Sequence, residues 1–100
     1  MVIYNKAIRD KIPEIIKESG KNCNVKKLDD SEFLVQLEKK LVEELAEYQE
    51  SKNVEELADV LEVIYRISNL KGFDLDKARL EKIEKRGKFE KNLFLIDTRD

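Results

Sequence analysis

The chain has 100 residues, 42% charged and 41% hydrophobic, with a formal net charge of −2 and no histidine. That length sets a single domain near the small end for a self-sufficient core. The abundance of both classes points to long amphipathic helices that oligomerise rather than to a compact sandwich. Without His, and with Cys23 the one cysteine among only three glycines, several chemistries are excluded: imidazole catalysis, cysteine zinc sites, intrachain disulfides and Walker loops.

No apolar run approaches bilayer length and no h-region opens the chain. The expectation is therefore a cytoplasmic protein with no membrane partner. Between Glu38 and Glu62 stand nine acidic and three basic residues, a local balance of −6, whereas residues 1–28 carry +4 and residues 71–100 carry +2. An acidic centre with basic ends suits a cation in the middle and an anionic ligand at its edge, although solvated helix faces give the same pattern. The same acidic centre argues against a nucleic-acid partner.

In chain order, residues 1–6 read as a short extended entry. Asp10 is placed to cap a short helix with Pro13 in its first turn, an apolar stripe of Ile12, Ile15 and Ile16, and Gly20 as its stop. Residues 21–28 are polar and irregular, a loop or short edge strand. A long helix begins near Asp30, with Asp29 and Glu32 forming a capping box and Leu34, Leu37, Leu41, Leu45 and Tyr48 as its stripe. Ser51-Lys52-Asn53 is a turn. Asn53 caps a second long helix whose apolar arc (Val54, Leu57, Val60, Leu61, Val63, Ile64, Ile67) is broad enough to be buried by several neighbours. Gly72 ends it. Asp74 starts a helix carrying Leu75, Ala78, Leu80 and Ile83, and Gly87 closes that one. Residues 93–96 read as one short strand able to pair with the entry segment. The fold class is thus all-α: a helical bundle built on a long antiparallel hairpin, with short terminal extended segments.

The hairpin carries the chemistry. Glu44 and Glu47 precede the turn, and Glu56 and Asp59 follow it at matching distances, so each carboxylate on one helix faces one on the other. Residues three apart share a helix face, and the four can converge on one volume. Glu43 points nearly opposite. Glu56 projects into the apolar arc, where an unpaired carboxylate needs a partner; it also stands three after Asn53, the capping-box position. Facing carboxylates with oxygen ligands suit Mg²⁺, with Mn²⁺ as the alternative.

The segments KLVEELAEYQES and VEELADVLEVIY resemble the acidic signature of the all-α nucleoside triphosphate pyrophosphohydrolases, the MazG-like group. Its ExxE and ExxD pattern is matched by Glu44, Glu47, Glu56 and Asp59. The opening YNKAIRDKIPEII and the closing KRGKFEKNLFLI resemble a phosphoribosyl-ATP pyrophosphohydrolase-like subgroup. The connection from Tyr48 to Glu55 is shorter than is usual there, which leaves substrate size open. The resemblance implies Mg²⁺-dependent cleavage between the α and β phosphates of a nucleotide, the four carboxylates serving as metal ligands and catalytic groups. It also implies a homodimer or homotetramer in which neighbouring chains complete the site. Arg9, Lys82 and Arg86 then become candidate phosphate ligands, the last two four apart on one helix face. Two alternatives stand beside this: phosphoribosyl-ATP as substrate, and a non-catalytic helical module that oligomerises or binds a partner.

Overall fold

The computed structural model describes all 100 residues. It is all-α, with four helices in the order α1 (Ile12–Glu18), α2 (Asp30–Ser51), α3 (Val54–Leu70) and α4 (Leu75–Arg86). No helix is long and apolar enough to cross a membrane. The one extensive helix–helix contact is α2 against α3, the expected antiparallel hairpin.

Local chemistry sets its ends. The Asp29 carboxylate accepts the Glu32 backbone N–H at 2.8 Å and the Ser31 hydroxyl at 3.0 Å, satisfying donors that the first turn of α2 leaves free. Asn53 does the same for α3, accepting the Glu56 backbone N–H at 3.2 Å. Between them Lys52 adopts the left-handed conformation (φ 61°, ψ 17°) and its N–H closes on the Tyr48 carbonyl at 2.7 Å. That one residue reverses the chain. Asp74 caps α4 through the Lys77 N–H at 3.1 Å, and Gly87 (φ +81°) stops it.

The core is small. Ala7, Leu37 and Val63 form its buried centre, with Phe33, Leu41, Ile67 and Leu70 packed against it. Ala7 directly follows the entry segment, and with Lys6 bonded to α2 and Arg9 to α3, residues 6–9 form a strap laid across the α2–α3 seam.

Four expectations need correction. Asp10 caps nothing: the α1 cap position is Lys11, with no side-chain bond. The Ile12 N–H is already held by the Arg9 carbonyl at 3.2 Å, and Pro13 has no N–H to offer. Residues 93–96 form no strand and the entry segment offers none to pair with, while residues 21–28 are the loop that their composition allows; the strap packs through Ala7 instead, which leaves the tail without an edge to join. The α3 arc is only partly covered within the chain: Val60 and Val63 are buried, whereas Val54, Leu57 and Leu61 stay exposed. Glu56 is only partly buried; the buried carboxylate is Glu44.

Candidate metal centre

The register of the hairpin decides which carboxylates meet. Leu37 lies seven residues before Glu44 on α2, and Val63 lies seven after Glu56 on α3. Seven residues are two helical turns, so Leu37 and Glu44 share one face of α2, and Glu56 and Val63 share one face of α3. Carboxylate oxygens of Glu44, Glu56 and Asp59 lie within 4.8 Å of one another. Three of the four expected residues are thus brought together across the seam. Glu47 instead joins Glu43 and Glu44 in an adjoining group of the same span, all on α2. Glu44 belongs to both.

Glu44 is 5% exposed. One of its oxygens receives the Lys40 ammonium at 3.3 Å, while the other, Oε2, is buried with no hydrogen-bond partner. Burial pushes its carboxyl above the ordinary range, the neighbouring Glu47 pushes the same way, and Lys40 pulls against both. A buried acceptor left unmatched is expensive, and it marks the point at which this cluster lacks a positive or hydrogen-bonding group.

Basic side chains border the cluster. The Arg9 guanidinium holds Asp59 Oδ1 at 2.7 Å, and Lys6 holds Glu43 Oε1 at 3.1 Å. Arg9 therefore sits at the edge of the three-carboxylate group. Lys82 and Arg86 lie on α4, and neither forms an ion pair with the clustered carboxylates. A hollow of about 390 Å³ lies elsewhere, at the α3–α4 joint, lined by Tyr65, Ser68, Asn69 and Phe73 among others and by none of the clustered carboxylates.

No family model, curated protein or solved structure matches this chain. The site is therefore read from its own geometry. Glu43 was absent from the sequence-based set because an ideal helical wheel turns it away from the stripe. Lys6, thirty-seven positions earlier, is what holds it, and no local pattern announces a contact of that range. Lys40 was legible, being four residues before Glu44 on the same face.

The donor set fits a hard divalent cation. All three groups offer oxygen, they come from two helices fixed by a shared core register, and one buried oxygen has nothing to bond.

Proposed function

We propose that this chain is a Mg²⁺-dependent nucleoside triphosphate pyrophosphohydrolase, cleaving between the α and β phosphates to give a nucleoside monophosphate and pyrophosphate. The observation that carries the reading is the cluster of Glu44, Glu56 and Asp59, whose carboxylate oxygens lie within 4.8 Å of one another across two helices, with Glu44 buried and its Oε2 without a hydrogen-bond partner. The resemblance of both acidic segments and both chain ends to the MazG-like group supports it.

Glu44, Glu56 and Asp59 would hold Mg²⁺ (or Mn²⁺), which when bound would offset charge developing on phosphate oxygens and acidify a water. The protein's own groups do the rest. Glu47, exposed beside Glu44, would accept a proton from the attacking water. Arg9, at the rim of the cluster, can meet a phosphate oxygen with a charge-assisted hydrogen bond. Lys82 and Arg86 serve a triphosphate only if a second copy of the chain brings its α4 to this hairpin, as the homo-oligomer implied by the resemblance would. Phosphoribosyl-ATP is the alternative substrate. The large uncovered apolar surface favours one further reading, a non-catalytic module whose purpose is assembly.

Phosphate release from a panel of nucleoside triphosphates, with added pyrophosphatase and with or without Mg²⁺, separates these readings. Mg²⁺-dependent hydrolysis that falls at least about a hundredfold in Glu44→Gln and Asp59→Asn, as removal of charge-stabilising groups does, with helicity intact by circular dichroism, is the expected result. A silent panel, phosphoribosyl-ATP included, leaves the assembly module.

A further inference from the structure

The strap of residues 6–9 is held by three contacts that straddle the seam. Ala7 is buried against Leu37 and Val63, Lys6 bonds Glu43 on α2, and Arg9 bonds Asp59 on α3. Of these side chains, Arg9 alone reaches a member of the three-carboxylate group. Lys40 occupies one oxygen of Glu44 from within α2, so the cluster already carries two ammonium or guanidinium charges against its three carboxylates. These cations differ in tether. Lys40 is fixed on the helix that bears Glu44, whereas Arg9 sits on a non-helical segment with its side chain half exposed. A guanidinium so placed can leave without moving a helix.

We propose that Arg9 is the resident counter-ion of Asp59 and competes with a divalent cation for its charge, so that the strap tunes the metal affinity of the cluster. The proposal rests on the reading of Glu44, Glu56 and Asp59 as cation ligands. Its physical basis is competition for the charge of one carboxylate: Asp59 Oδ1 accepts the Arg9 N–H at 2.7 Å, so a cation that binds through either oxygen meets a carboxylate already partly neutralised and is repelled by the guanidinium beside it. An exposed ion pair near the upper end of its usual range stabilises by about 0.65 to 1 kcal/mol, which converts to a roughly threefold to fivefold weakening of cation binding. Loading the cluster would also free the guanidinium for a phosphate oxygen at the same rim.

The test is calorimetric titration of Mn²⁺ into the full chain at fixed ionic strength, comparing wild type, Arg9→Gln and Lys11→Gln. Lys11 is exposed, two residues away and in no ion pair, so it reports the effect of removing a nearby positive charge that touches no carboxylate. Mn²⁺ binding tightened roughly threefold to fivefold in Arg9→Gln, with Lys11→Gln at the wild-type value, is the expected outcome. Equal binding by wild type and Arg9→Gln, or an equal gain in Lys11→Gln, overturns the role of Arg9 while leaving the metal centre standing. Absence of Mn²⁺ binding in all three removes the metal centre and the proposal together.

Discussion

Glu44 is the residue under most tension in the molecule. Its carboxyl is pushed upward chiefly by burial, so the folded state favours its protonated form more than the unfolded chain does. Such a contribution is fully present below the unfolded pKa and is lost as pH rises through the folded one. In EDTA, Glu44→Gln should therefore raise the Tm at pH 8, with the gain shrinking towards pH 4; a gain unchanged across that range would refute the assignment to ionisation. Asp29 runs the opposite way. The Glu32 N–H and the Ser31 hydroxyl hold its carboxyl below the ordinary range, so its contribution is present above the unfolded pKa and lost as pH falls through the folded one. Asp29→Ala should lower the Tm at neutral pH and converge on wild type in strong acid, as thermal scans at several pH values would show.

At the scale of elements, the hairpin depends on a single left-handed residue. Lys52 holds φ 61° without being glycine, a conformation that crowds Cβ against the backbone. Glycine removes that crowding but adds freedom to the unfolded chain. The net expectation for Lys52→Gly is stabilisation by about 0.5 kcal/mol, provided the contact of the lysine ammonium with the Tyr48 ring, at 5.7 Å, is the weak exposed interaction it resembles. Asn53→Ala, which leaves the Glu56 N–H unbonded, should cost about 1 kcal/mol in urea unfolding. Helix ends were legible because Asp29, Asn53 and Asp74 announce themselves by type and spacing, and Lys52 lies inside the polar triplet that marks the turn. The α1 start was not, because Pro13 and the Arg9 carbonyl removed the donors Asp10 would have bonded. The site was legible in membership more than in register. Symmetry about the turn matched Glu44 with Asp59, which do meet, and Glu47 with Glu56, which share no cluster; which side chains close across the seam depends on packing that leaves no mark in a local pattern.

For the whole molecule, surface area is the informative quantity. A compact monomer of 11.8 kDa exposes about 5,900 Å², whereas this chain exposes 9570 Å². Its radius of gyration is 18.2 Å, against about 13 Å for a globular chain of this length. Part of the excess is the tail, where Phe89 and residues 93–96 lie open. Part lies on the hairpin itself, where Val42 and Leu45 of α2 and Val54, Leu57 and Leu61 of α3 remain uncovered. A stable interface takes about 800 Å² from each partner, so the surplus is several times what one dimer contact needs. Six buried residues would leave the chain near the limit of stability alone. We propose that other copies of the chain cover the part of the broad α3 apolar arc that the chain itself leaves open. Sedimentation equilibrium at micromolar concentration should give a dimer or tetramer, and the Tm should rise with protein concentration, because association stabilises the folded form by mass action. Leu57 and Leu61 stand one turn apart and both are 48% exposed; changing both to Lys should shift the equilibrium to smaller species and lower the Tm, the reverse of what removing exposed leucines does to a monomer. A wild-type chain that sediments at 11.8 kDa throughout and melts at one temperature at every concentration would show that this hairpin and its strap suffice by themselves.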